Sequence, residues 1–165
     1  MLVAHYIGPP KPGLAAHAGW WLIRLAQKAP YATVTHTEAI HELHGDGSVT
    51  MASSSVADHG VRRKRAVLTP QNWLITDVPA WDVRASVEFF DAAIAKREAY
   101  DFFGAAAAML PGRQKTDRLF CTEAVLAPFV PASHYFAPAP GLAICLGHGR
   151  DVTTAFFTER GLCNA

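Results

Sequence analysis

Arg118-Leu119-Phe120-Cys121-Thr122-Glu123-Ala124-Val125-Leu126-Ala127 is the stretch on which the reading of this chain turns. Pro111-Gly112 and the polar run 113–117 precede it and read as a loop. Beyond Cys121 the apolar residues Ala124, Val125 and Ala127 fall at helical spacing, and Pro128 and Pro131 close the segment. The pattern predicts a short helix with Cys121 at or near its first turn. Unpaired N–H groups and the helix dipole favour a thiolate there. A cysteine so placed can act as a nucleophile once a histidine reaches it; without one it is a small buried apolar side chain.

Of eight histidines, His36 has the most suggestive context. Residues 34–43 (VTHTEAIHEL) open on β-branched side chains and alternate, which predicts a strand; His44-Gly45-Asp46-Gly47 reads as a turn, and residues 48–56 return as the antiparallel partner. Alternation places His36 on one face with Val34, Glu38 and Ile40. A general base needs its own orienting acceptor, and the Glu38 carboxylate can supply one. If the hairpin closes symmetrically, Ser55 falls opposite His36 and Ser53 opposite Glu38, so Ser53 is a second candidate for the third role. The competing reading makes His36 an ordinary hydrogen-bonded strand residue. His41, His44 and His59 flank turns and read as solvent-facing. A zinc site from His36, His41 and His44 is disfavoured because a strand sends His36 and His41 to opposite faces; neither metal nor cofactor is expected. GxSxG, HExxH, CxxC and P-loop patterns are absent from the sequence.

Elsewhere, residues 2–7 read as a strand, 8–13 as a loop, and 19–29 (GWWLIRLAQKA) as a helix stopped by Pro30. Asp58-His59-Gly60 is a turn. Arg62, Arg63, Lys64 and Arg65 form the densest charge in the chain. They read as a solvated strand edge rather than a phosphate site, because no aromatic residues interleave them. Residues 73–76 predict a strand. Asp82 caps a helix running to Lys96 or Tyr100 with an apolar stripe of Val83, Val87, Phe90 and Ile94. Residues 102–110 predict a helix, 141–146 (GLAICL) a late strand, and 153–160 a further short element.

The chain has 165 residues, half of them hydrophobic, and a formal net charge of +1. One domain over residues 1–165 is expected, with no basic face for nucleic acid. Three cysteines, Cys121, Cys145 and Cys163, make no disulfide framework and suit a reducing compartment. The first residues lack the pattern of a secretory signal, and the apolar runs fall short of the ~20 residues of a membrane span. The expectation is cytoplasmic synthesis without an integral membrane segment.

Three stretches together resemble one family: residues 19–40, with Thr35-His36-Thr37-Glu38-Ala39-Ile40; residues 53–62 (SSSVADHGVR); and residues 100–127, with Tyr100-Asp101 and Phe120-Cys121-Thr122-Glu123. They are similar to the circularly permuted branch of the NlpC-type, papain-like cysteine hydrolases, the YiiX- and YaeF-like proteins and their phage-encoded relatives. In that branch a histidine strand (S-H-x-E-[LIV]) precedes the nucleophile (F-C-S-E-[LF]-V). His36 and Cys121 stand in those positions here, in that order. Asp58-His59-Gly60-Val61-Arg62 is similar to the D-G-G-V-R turn of phage members, with His59 for one glycine, and Thr122 replaces the usual serine. The resemblance implies an α+β fold, an antiparallel sheet carrying the histidine packed on helices, one of which carries the cysteine. It also implies a peptidase or amidase with Cys121 and His36 as the catalytic pair. Glu38 is assigned as third residue on strand geometry, since that position varies in the superfamily. The implied substrate is a peptide amide bond, bacterial cell-wall peptide (peptidoglycan) first, and the DHGVR stretch points to a phage or prophage protein with virion or tail partners. Two other functions compete: a thiol acyltransferase or thioesterase on lipids, with Trp20 and Trp21 as its apolar contact, and a catalytically silent virion subunit.

Overall fold

The computed structural model describes residues 1–9, 33–101, 118–130 and 138–162. The helices expected over 19–29 and 102–110, the loops at 10–13 and 111–117, and Cys163 lie outside the described residues. One mixed sheet dominates. Its strands are β1 (Leu2–Tyr6), β2 (His36–Leu43), β3 (Val49–Ser55), β4 (Gly60–Ala66), β5 (Trp73–Asp77), β6 (Ala99–Tyr100), β7 (Arg118–Leu119) and β8 (Arg150–Asp151), in the order β7-β6-β4-β3-β2-β1-β5-β8. All neighbours are antiparallel except β6 and β7. The helices are α1 (Val83–Ala95), α2 (Cys121–Leu126), α3 (Pro138–His148) and α4 (Thr153–Thr158). None of the described helices is long and apolar enough to cross a membrane.

Alternation splits the core in two. Val3, Ala39 and Ala52 face one side, where Phe90 of α1, Ala124, Val125 and Leu126 of α2, and Cys145 of α3 cover them. Their sequence neighbours Ala4, Ile40 and Met51 face the other side, against Phe156 and Phe157 of α4. The β2–β3 hairpin forms where its alternation predicts, with Leu43 opposite Val49 and Ala39 opposite Ala52. That ladder ends at Ala39, while β3 continues against β4 as far as Ser55–Gly60. Beyond Ala39, β2 keeps only β1 as a ladder partner, down to Tyr6–His36.

Four expectations need correction. Residues 141–146 form part of α3, not a strand. Leu142 and Cys145 are both buried, and a spacing of three shares a helical face but would straddle a strand. Pro138 and Pro140 sit in the first turn, where a missing N–H costs nothing. In α1, Asp82 caps as expected by accepting from the Arg84 N–H at 2.9 Å. Its buried face, however, is Ser86, Phe90 and Ala93, with Val87 and Ile94 only half-buried. Ser86 can face the core because His41 satisfies it, Nε2 to Oγ 3.0 Å. His41 is therefore not solvent-facing: it lies 5.4 Å from the Phe90 ring, and burial, then the Arg63 charge, push its imidazole down to about 4. Finally, β4 is no sheet edge, since β3 and β6 flank it; Arg63 and Arg65 are exposed, whereas Arg62 and Lys64 are half-buried.

The turn into β4 depends on Gly60. Its φ is 152°, and a Cβ there would run into the Glu98 carbonyl oxygen. Gly60→Ala should destabilise the protein by about 2 kcal/mol or more, from backbone strain and the clash together. Urea unfolding checks this: a lower midpoint at an unchanged slope is expected, and an unchanged midpoint would show that the turn relaxes freely.

Candidate active site

Helix α2 begins at Cys121 because Phe120, its N-cap, is extended (φ −96°, ψ 173°) and the Glu123 carboxylate folds back onto the Phe120 N–H at 3.4 Å. This is half of a capping box; phenylalanine has no acceptor to complete it. Every residue of α2 is buried. Burial, with the nearby Asp101 and Glu98 carboxylates and against the Phe120 N–H, pushes Glu123 up to about 7.

Cys121 and His36 are hydrogen-bonded to each other. The imidazole Nε2 lies 2.9 Å from Glu38 Oε1, which leaves Nδ1 to face the sulfur. Glu38 is wholly inaccessible to solvent, yet it is well supplied with donors. Arg62 Nη1 donates to Oε2 at 2.6 Å and Nη2 to Oε1 at 2.5 Å, and Lys64 Nζ stands 3.4 Å from Oε1. Arg62 is itself fixed by Asp58 through Nε at 2.8 Å. The result is a continuous run, Asp58–Arg62–Glu38–His36–Cys121. Planar, bidentate Arg–carboxylate contacts of this kind fix orientation as well as charge.

The electrostatics follow from that run. Burial opposes ionisation of Glu38, but the His36 and Arg62 charges and hydrogen bonds outweigh it and hold the carboxyl well below the usual range. Burial also disfavours a charged His36, whose side chain keeps 24 % of its surface exposed. Glu38 and Cys121 overcome that penalty and raise the imidazole to about 9. Burial pushes the Cys121 thiol up; the His36 charge and hydrogen bond, then the Thr122 hydroxyl and Thr37 N–H, bring it below its ordinary value. Both shifts favour a thiolate beside an imidazolium, an arrangement suited to attack on a carbonyl carbon and to protonation of a leaving group.

Ser53 takes a different place from the one its register suggested. Its single hydroxyl proton goes to the Thr37 carbonyl at 2.6 Å, and the Cys121 carbonyl lies 3.5 Å away. It ties β2 to β3 where their ladder has stopped, and braces the start of α2. Among the described residues it makes no hydrogen bond to His36 or Glu38, so the orienting group is Glu38. The three histidines considered for zinc diverge: His36 turns to Glu38, His41 to Ser86, and His44 Nε2 to Thr50 Oγ1 at 2.7 Å. Cys145 is free and buried in the core, its thiol pushed up by burial to about 12.

No family model, curated protein or solved structure matches this chain. The case for the site is therefore its geometry.

Sequence reasoning missed Arg62 and Asp58 as members of the site. The signal was present: they lie four apart across a glycine turn, with Arg62 at the register position opposite Ser53. Arg62→Met should leave Glu38 buried without its bidentate partner, at a cost of about 3 kcal/mol. Chemical denaturation measures it, and a loss under 1 kcal/mol would mean that Lys64 and His36 suffice. Stability should also respond to pH. Because folding raises the His36 pKa to about 9, its contribution is present below about 6.5 and is lost as pH rises toward 9. The Glu38 contribution has the opposite sense, present above the ordinary carboxylate range and lost in strong acid.

Proposed function

We propose that this chain is a cysteine hydrolase that cleaves amide bonds, with Cys121 as nucleophile, His36 as acid and base, and Glu38 as the carboxylate that orients His36. One observation carries this reading: a thiol at a helix start is hydrogen-bonded to an imidazole whose far nitrogen is held by a buried, arginine-clamped carboxylate. A structural protein has little use for such a cluster. A carboxylate with no access to solvent is costly to keep unless its partners are in place. In the proposed cycle the thiolate attacks the substrate carbonyl, His36 protonates the departing amine, and water resolves the acyl-enzyme. The α2 N-terminus, with the Cys121 N–H, supports the oxyanion.

The finer assignment follows the motifs. The order of a histidine strand, a glycine turn with an arginine and a cysteine helix is the one expected of a circularly permuted NlpC-type hydrolase, and an antiparallel sheet packed against helices is compatible with it. The substrate class, peptidoglycan peptide, and a phage or virion setting rest on that resemblance alone. Exposed apolar surface on residues 141–146 or the C-terminal tail would favour a silent subunit; of the former, Leu142 and Cys145 are buried, and residues 163–165 lie outside the described residues. Trp20 and Trp21, which a lipid-acting enzyme would use, lie outside the described residues.

Cys121→Ala should abolish hydrolysis of muropeptides while keeping the unfolding midpoint near wild type, because the exchange removes little volume. Full activity in that variant would rule out the mechanism. Glu38→Gln should lower kcat by one to three orders of magnitude, toward the lower part of what losing a triad carboxylate costs. Ser53→Ala should act on stability more than on kcat. If Ser53→Ala carries the larger kinetic loss, the third role is misassigned.

A further inference from the structure

On the side of His36 away from Cys121, strand register sets three rings in a row across the sheet. His36 of β2 pairs with Tyr6 of β1, and Tyr6 pairs in turn with Trp73 of β5. Direct cross-strand partners share a face and keep their Cβ atoms roughly 4.5–5.5 Å apart. The Tyr6 and Trp73 rings meet edge to face, with centroids 5.1 Å apart and planes at 67°. The next row on the same face, Glu38, Ala4 and Ile75, is fully buried, with Ala4 and Ile75 under Phe156 and Phe157 of α4. Trp73 packs against that cluster but stays half-buried, as do Tyr6 and His36.

The row is held in place. The Tyr6 hydroxyl donates to the Pro9 carbonyl at 2.7 Å, and a Cβ at Gly8 would run into the Tyr6 ring and the Asn72 side chain. Rings fixed in advance lose little freedom when a ligand lies against them. The strand order β3-β2-β1-β5 supplies the direction. Cys121 comes from the β3 side, where its carbonyl lies 3.5 Å from the Ser53 hydroxyl, whereas Tyr6 and Trp73 lie on the other side of β2. A departing amine takes its proton from His36, so it must sit on the His36 side of the scissile bond. Continued away from Cys121, that half of the substrate passes over Tyr6 and then Trp73. Both rings are neutral, and the Tyr6 proton is committed to Pro9. Flat aromatic area of this kind favours an apolar side chain, while a charged one would lose hydration for nothing in return.

We propose that Tyr6 and Trp73 form a subsite for the leaving-group side of the substrate, one that takes an amine bearing an aromatic or bulky aliphatic side chain. This deepens the hydrolase reading above and rests on it. By microscopic reversibility, the site that releases such an amine also accepts one. The incoming amine nitrogen attacks the thioester carbonyl of the acyl-enzyme, and its proton passes to His36, neutral after protonating the first leaving group. The C–S bond breaks, its electron pair returns to Cys121 as thiolate, and a new amide is released.

The test acylates Cys121 with p-nitrophenyl acetate and offers glycinamide and phenylalaninamide together at equal concentration. The ratio of the two N-acetyl amides is measured in the wild type, Tyr6→Ala and Trp73→Leu. A ratio cancels any change at the nucleophile that both acceptors share. The wild type should favour phenylalaninamide at least tenfold, and each variant should bring the preference below threefold. A wild-type preference below threefold would overturn the subsite without recourse to any variant. A wild-type ratio retained in both variants would overturn it too, by placing the selectivity elsewhere. A wild type that forms no acyl-enzyme would defeat the hydrolase reading and the leaving-group role with it. Saturation-transfer NMR of phenylalaninamide on Cys121→Ala then still decides whether the rings hold an apolar amine: a signal lost on adding Trp73→Leu supports this, and no signal overturns it.

Discussion

The Glu38 carboxylate is the constraint on which the rest of this structure depends. A charge with no access to solvent is tolerable only if several donors converge on it. Here His36, Arg62 and Lys64 do so from two strands, and Asp58 secures Arg62 from the turn. Meeting that demand aligns β2, β3 and β4, fixes the glycine turn at Gly60, and locks the imidazole in one orientation. The pairing of His36 with Cys121 is then a consequence: with Nε2 committed to Glu38, only Nδ1 is left for the sulfur.

The sheet ladder makes room for this arrangement. Because β2 and β3 part beyond Ala39–Ala52, the first turn of α2 can approach the Thr37 main chain, and Ser53 replaces a lost ladder bond with its hydroxyl. The helix behind Cys121 is anchored by Ala124, Val125 and Leu126 in the core shared with α1 and α3. A thiol held this way has little further freedom to lose in the proposed reaction, which is the sense in which such a site is preorganised.

Local patterns in the sequence carried much of this. Alternation in residues 34–43 put His36 and Glu38 on one face, but the pairing next to the turn, with Leu43 opposite Val49, is one residue off a symmetric closure and is brought back by a register shift between Ile40 and Glu42. The apolar spacing after Cys121, closed by Pro128, marked the helix start. Less legible were features whose cause is tertiary. Arg62 looked like one charge among four because nothing local says which of a basic run faces a buried carboxylate. His41 looked exposed until α1 brought Ser86 to it. Residues 141–146 are too short and uniformly apolar for period alone to separate strand from helix. Register set Ser53 opposite Glu38, but the β2–β3 ladder ends at Ala39–Ala52 and the Ser53 hydroxyl proton goes to the Thr37 carbonyl.

The central claim is that Glu38, acting through His36, makes Cys121 a thiolate at neutral pH. It is tested most directly by following the iodoacetamide alkylation of Cys121 from pH 4 to pH 10 in the wild type and in Glu38→Gln. The wild type should react below pH 7 at a rate set by an ion-paired thiolate, with a second change near pH 9 as His36 loses its proton. In Glu38→Gln the onset should move to higher pH. A single titration at the ordinary thiol value of about 8.5, the same in both proteins, would contradict the account.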